Sequence, residues 1–124
     1  MKKAFTLIEV LIAIFLITVG IAGAFDLIQR TVAFSAISSS RLEAVYLAQE
    51  GIEIIRNTRD SNWLAENPWD SGIEDQEIDI GKFNRTITIT ALEPDKMIVS
   101  AEVTWQERGR DHSVTAQTEL YNWK

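Results

Sequence analysis

The sequence predicts an α+β chain in which one long amino-terminal helix packs on a four-stranded antiparallel sheet. The first half of that helix is expected to span a membrane and the second half to be amphipathic. Three observations carry this. Phe5 to Phe25 is a run of 21 residues with a single charge, Glu9. Residues 26–57 contain no proline and only Gly51, so nothing breaks a helix there. Residues 76–124 alternate apolar and polar side chains with a period of two, the pattern of half-buried strands. At 124 residues the chain has the length of one domain. The expected segments are a leader at 1–4, an apolar helix segment at 5–25, an amphipathic one at 26–57, a connecting loop at 58–75 and the sheet at 76–124. Segments 26–57 and 76–124 together form the expected globular domain.

At 1.5 Å per residue, Phe5 to Phe25 reaches roughly 31 Å, about the thickness of a bilayer's hydrocarbon core. Lys2 and Lys3 precede it, the charge bias that keeps a first segment's leading end in the cytoplasm. A cleaved secretory signal is an alternative, because Ala22-Gly23-Ala24 resembles a small-residue cleavage site. Glu9 near the start of the run and the helical pattern that continues beyond residue 25 argue against it. Beyond Asp26, Ile28, Val32, Leu42, Val45, Ile52 and Ile55 recur at threes and fours and form one apolar stripe. One helix from about Phe5 to Asn57 follows, roughly 80 Å long. Gly20 and Gly23 are its expected bending points.

Asn62, Asn67-Pro68 and Asp70-Ser71-Gly72 are turn chemistry, which places 58–75 in a loop. Trp63 and Trp69 lie within it. Two tryptophans so close in a loop are expected to fold back on a core, the sharper alternative being a partner-binding surface. The strands follow. Ile78 and Ile80 lead to a turn at Gly81-Lys82. Ile87, Ile89 and Ala91 then face opposite to Thr86, Thr88 and Thr90. After Glu93-Pro94-Asp95-Lys96 come Met97, Val99, Ala101, Val103 and Trp105. A turn at Arg108-Gly109-Arg110 leads to Val114, Ala116, Thr118 and Leu120. Such a meander has one apolar face and one threonine-rich face, and the helix stripe is the natural cover for the former.

The residues Lys2-Lys3-Ala4 followed by Phe5-Thr6-Leu7-Ile8-Glu9-Val10-Leu11-Ile12-Ala13 resemble the class III signal of type IV pilins and type II secretion pseudopilins. The resemblance is strict over about the first 25 residues and looser over the rest. It implies cleavage between Ala4 and Phe5 by a prepilin peptidase, and methylation of the new amine of Phe5. It also implies single-pass insertion in the inner membrane with the carboxyl-terminal domain outside the cytoplasm. Assembly into a pilus or pseudopilus, with other pilin subunits and an inner-membrane assembly platform as partners, would follow. The chain departs from the family pattern at Ala4, where glycine usually precedes the cut. Loss of Lys2 and Lys3 leaves ten basic against 18 acidic side chains and moves the net charge from −6 to −8.

A carboxylate inside a spanning helix is costly and is rarely found there without a partner. The cleaved amine at Phe5 is a partner of opposite charge, and a neighbouring copy could bring its amine closer than the same helix does. Glu9 is therefore expected to act in assembly, rewarding helices stacked at a fixed axial offset. Snorkelling toward Lys2 and Lys3 is the bland alternative. Gly20, Ala22, Gly23 and Ala24 would let helices approach closely.

Other chemistry is thin. The chain has no cysteine, which excludes disulfides and thiolate sites, and its single histidine, His112, has no second one with which to hold a metal. The negative net charge argues against nucleic acid as the main partner; Arg85, Arg108 and Arg110 are weak evidence for it. Asp60, Asp70, Glu74, Asp75, Glu77 and Asp79 form an acidic run. Asp70, Glu74 and Asp75 are a weak calcium candidate there, since related pseudopilins bind calcium in this part of the fold, but a solvated acidic face is the plainer reading. No cofactor and no catalytic constellation is expected. The functional expectation is a structural subunit, a minor pilin of a type IV pilus-like filament. A type II secretion pseudopilin is the alternative within the family, and a membrane-anchored extracytoplasmic binding module the alternative outside it.

Overall fold

A computed structural model of the protein describes residues 4–122; Lys2 and Lys3 of the expected leader lie outside the described residues. The elements are one helix, α1 (Leu7–Leu64), and four strands, β1 (Gln76–Ile80), β2 (Phe83–Glu93), β3 (Lys96–Glu107) and β4 (Arg110–Tyr121). The strands form one antiparallel sheet in the order β1-β2-β3-β4. The chain divides into two compact units, Met1–Ser38 and Ser39–Lys124.

In the first unit, every described residue from Ala4 to Val32 is exposed. These include Leu7, Leu11, Phe15, Phe25 and Phe34 nearby, so the most apolar part of the chain covers nothing of its own. The helix runs through Gly20 and Gly23 without a break. Thr18 and Thr31 turn their hydroxyls onto the carbonyls of Ile14 and Leu27, at 2.8 and 2.9 Å. Polar groups satisfied inside the helix in this way are compatible with an apolar surrounding.

The second unit holds the core. Odd-numbered residues of β3, Met97 to Trp105, and Phe83 and Ile87 of β2 line one face of the sheet and are buried. The other face carries the threonines and acids, as the alternation predicts. Two-residue turns join the strands at each hairpin. Arg108 and Gly109 both have positive φ (53° and 72°), the conformation that matches the twist of the flanking strands. A bulge between Ala91 and Glu93 shifts the β2–β3 register before the last pair, Glu93 with Lys96, and leaves Leu92 exposed.

Two expectations about α1 are corrected. The face it buries against the sheet is Ser40, Ala44, Ala48, Gly51, Ile52, Ile55 and Arg59. Ile28, Val32 and Leu42 of the expected stripe are exposed. Small residues dominate this face because the sheet supplies the bulk. At Gly51 an added Cβ would sit 3.1 Å from Arg85 Cδ and 3.2 Å from Ile87 Cδ1, so the backbone must lie close to β2. Helix α1 also continues past Asn57 to Leu64, which places Asn62 and Trp63 on the helix and not in the loop. It ends in a backbone motif. Glu66 takes a positive φ of 56°, its amide donates to the Trp63 carbonyl (3.2 Å), and the Asn67 amide donates to the Asn62 carbonyl (2.9 Å). That six-to-one plus five-to-two pairing is a Schellman stop, with Pro68 next to prevent continuation.

Candidate functional site

The amino-terminal turn is built by Thr6 and Glu9. The Thr6 amide and hydroxyl both donate to Glu9 Oε2, at 2.8 and 2.9 Å, and the Glu9 amide donates back to Thr6 Oγ1 at 3.4 Å. This is a reciprocal capping box: Thr6 caps the helix and Glu9, three residues on, satisfies the Thr6 amide. An isolated helix start leaves four amides without partners, so the box stabilises α1 at its first turn. Thr6 was not singled out from the sequence, although threonine followed three residues later by glutamate before an apolar run is the signature of this motif. Both donors reach the same carboxylate oxygen, and Glu9 Oε1 makes none of the hydrogen bonds seen among the described residues.

Ala4 and Phe5 immediately precede this cap and are exposed, outside the helix. A peptide bond there is sterically open, which cleavage requires. Gly20 and Gly23 have no atom within 4 Å of where a Cβ would stand, so nothing in the chain itself makes use of their small size. From Leu7 the helix contains a stretch long and apolar enough to cross a membrane, none of it buried in the protein.

Residues 1–25 match the family model described as the prokaryotic N-terminal methylation motif. The segment is a class III prepilin signal. That motif, together with the exposed apolar helix, supports a type IV pilin-like or pseudopilin-like protein. Comparison with curated proteins and with solved structures returns no match. A prepilin signal implies processing by a prepilin peptidase and assembly with other pilins, and it fits anchoring in the inner membrane.

The remaining candidates lie in the second unit. Trp69 is buried in the core cluster, so it is no surface anchor. Trp63 packs against the same cluster, lies 4.8 Å under the Arg59 guanidinium and donates from Nε1 to Asn122 Oδ1 at 3.4 Å. The loop that carries Trp69 is organised by Asn62, whose amide donates to the carbonyls of Trp69 (3.1 Å) and Ser71 (2.8 Å). The acidic run is largely engaged locally. Asp60 pairs with Arg59, Asp75 Oδ1 accepts from the Ile89 amide at 2.7 Å, and Glu77 and Asp79 both accept from Asn84. Among the described residues no three acidic or imidazole groups are placed to hold a metal, Asp70, Glu74 and Asp75 included.

Arg85 is buried. Its Nη1 donates to the Leu47 carbonyl at 3.1 Å and stands 3.6 Å from Glu50, which removes it from any surface for anions. His112, near the start of β4, stacks on Trp105 with ring centroids 5.3 Å apart. At the other end of the sheet Tyr121 donates to Glu119 at 2.5 Å and Lys96 pairs with Glu119 at 3.0 Å. The Tyr121 hydrogen bond, then the Lys96 one, hold the Glu119 carboxyl below its ordinary range; the Glu119 hydrogen bond holds Lys96 above its own.

Proposed function

We propose that the protein is a structural subunit, a minor pilin, of a type IV pilus-like filament. It is inserted in the inner membrane as a prepilin, cut between Ala4 and Phe5, methylated on Phe5, and assembled through its amino-terminal helix. The observation that supports this best is a division of labour. The sheet unit buries its own core, whereas the apolar residues of the prepilin signal stand exposed from Leu7 through Phe25 with no partner in the chain. Lipid covers such a surface before assembly, and the helices of other copies cover it afterwards. Gly20, Ala22, Gly23 and Ala24 allow those helices close approach.

Glu9 supplies the axial offset. In the unassembled chain its Oε2 caps the helix through Thr6, and Oε1 is left to receive the methylated amine of Phe5 from a neighbour. Capping and intersubunit pairing then use different oxygens of one carboxylate, so the helix start persists as copies join. The small sheet domain without a disulfide-closed loop favours an accessory subunit over a major one.

Co-expression with a prepilin peptidase tests the reading. The product should lack residues 1–4 and carry one added methyl on Phe5 by mass spectrometry, and the protein should appear in sheared surface fibres. Retention in a periplasmic pseudopilus identifies a secretion pseudopilin instead. An unprocessed chain, or one cut after Ala24, rejects the filament reading in favour of an anchored or secreted module.

A further inference from the structure

Among the described residues, neither the outer edge of β1 nor that of β4 pairs with another strand. On β1 the acids Glu77 and Asp79 face outward and Ile78, with 43% of its surface exposed, lies on the core face beside Ile80. On β4 the core-face residues Val114, Ala116 and Thr118 are only half covered, and the outward residues between Asp111 and Glu119 are the neutral Ser113, Thr115 and Gln117. A groove of about 390 Å³ runs along this edge between Ile52, Glu53 and Arg56 of α1 and Gln117 and Thr118 of β4. The 12-residue β4 contains no proline and no lysine, its charges (Arg110, Asp111 and Glu119) sit toward its two ends, and the sheet's bulge lies on β2, so its middle from His112 to Thr118 carries none of the devices that blunt an edge.

We infer that β4 of one copy pairs with β1 of the next, so that the sheet continues from subunit to subunit. This rests on the filament reading above. The occupant follows from strand parity. In an antiparallel sheet of four consecutive strands, β1 and β4 run in opposite directions. A β1 laid beside β4 is therefore antiparallel to it when both copies keep the same orientation, as subunits added from one membrane must. Pairing β4 with another β4 would instead require one copy to be turned over. A head-to-tail contact of this kind generates an open filament, whereas a two-fold contact closes on a dimer.

The register is also determined. Core face must meet core face, which excludes every one-residue slip. Placing Ile78 opposite Ala116 puts Ile80 opposite Val114, Glu77 opposite Gln117 and Asp79 opposite Thr115. Sliding β1 two residues one way sets Glu77 against Glu119, a like-charge pair; sliding it the other way sets Ile80 against His112. In the favoured register the Ile78 side chain lies on the same face as the groove at Ile52.

The absence of cysteine makes the test direct. Opposed residues in an antiparallel pair have Cα atoms about 4.5–5.5 Å apart, within reach of a disulfide. Full-length Glu77→Cys/Gln117→Cys protein, expressed in cells that assemble the fibre and oxidised with copper phenanthroline, should give a ladder of dimers, trimers and higher species. Each single variant should stay monomeric, and a mixture of the two should stop at dimers. Asp79→Cys/Thr115→Cys should repeat the ladder, which guards against a local effect at one pair. Self-cross-linking of Gln117→Cys alone would overturn the inference in favour of two-fold pairing. Protein that is processed and present in sheared fibres, yet gives no ladder from either pair, overturns the inference and leaves the filament reading standing. Protein absent from fibres overturns both.

Discussion

Gly51 is where the helix and sheet come closest, and substituting it makes a prediction whose sign depends on a neighbour. Alanine in a helix interior is more favourable than glycine by about 1 kcal/mol. The new Cβ would, however, sit 3.1 Å from Arg85 Cδ, 3.2 Å from Ile87 Cδ1 and 3.4 Å from Arg85 Nε. Carbon atoms are comfortable at about 3.5–4.0 Å. Arg85 and Ile87 are 4% and 1% exposed, so neither can swing into solvent to make room. Overpacking of this sort costs about 1–3 kcal/mol, which outweighs the helix gain. Gly51→Ala should therefore destabilise the protein by about 1 kcal/mol, a drop in Tm of several degrees for a domain this small. In an Arg85→Ala background two of the three contacts vanish and Ile87 can relax into the space. There Gly51→Ala should stabilise by about 1 kcal/mol, a coupling of about 2 kcal/mol. The assay is urea unfolding of the four detergent-solubilised proteins, followed by tryptophan fluorescence. Additivity within about 0.5 kcal/mol, or stabilisation by Gly51→Ala alone, would refute the claim that close approach to Arg85 is why a glycine stands there.

Other outcomes follow from the same contacts. Glu9→Ala should insert in the membrane at least as well as the parent and be cleaved, but be depleted from sheared fibres; normal incorporation would remove Glu9 from assembly. Ala4→Gly should raise the fraction of cleaved protein at early times in a pulse-chase with the peptidase, since a small residue of the family's usual type then precedes the cut. Asn62→Ala removes two hydrogen bonds to the loop and should cost about 1–2 kcal/mol, with faster proteolysis within residues 65–75. Glu119 has a lowered folded pKa, so its stabilising contribution is present above its unfolded pKa of about 4.3 and is lost as pH falls through the folded value. Lys96 works in the other sense: its pKa is raised, and its contribution is lost only as pH rises through the folded value. Both contributions are intact at neutral pH. The urea midpoint of Glu119→Gln should consequently change less than that of the parent between pH 5 and pH 3.

The sheet was legible in the sequence because a period of two leaves little choice of face, and the residues from Met97 to Trp105 follow it apart from Ile98, an apolar side chain on the opposite face. The prepilin signal was legible because its residue types recur at fixed offsets. The helix was harder to read in detail. Ile52 and Ile55 of the expected stripe do lie on its buried face, but the rest of that face up to Gly51 is Ser40, Ala44, Ala48 and Gly51, residues too small to stand out as an apolar stripe. Ahead of these, larger residues such as Leu42, 57% exposed, put the expected stripe off the buried face. Its end was misplaced for a related reason. The stop relies on Glu66 in a left-handed conformation that usually announces itself as glycine, and on backbone bonds that no side chain declares. The role of Thr6 is carried by its three-residue spacing to Glu9, whereas the charge of Glu9 alone says nothing of a cap.

The reversal of sizes across the helix–sheet seam constrains how the protein can vary. With bulk contributed by Phe83, Ile87 and Trp105 and clearance by Ala44, Ala48 and Gly51, the two sides are not interchangeable. Sheet positions can exchange one large side chain for another while the gap between layers is kept. The helix positions tolerate almost no growth, because each added carbon lifts the whole rod off the strands. Sequence drift in relatives of this protein should accordingly gather on the strands, while that short line of small residues changes least.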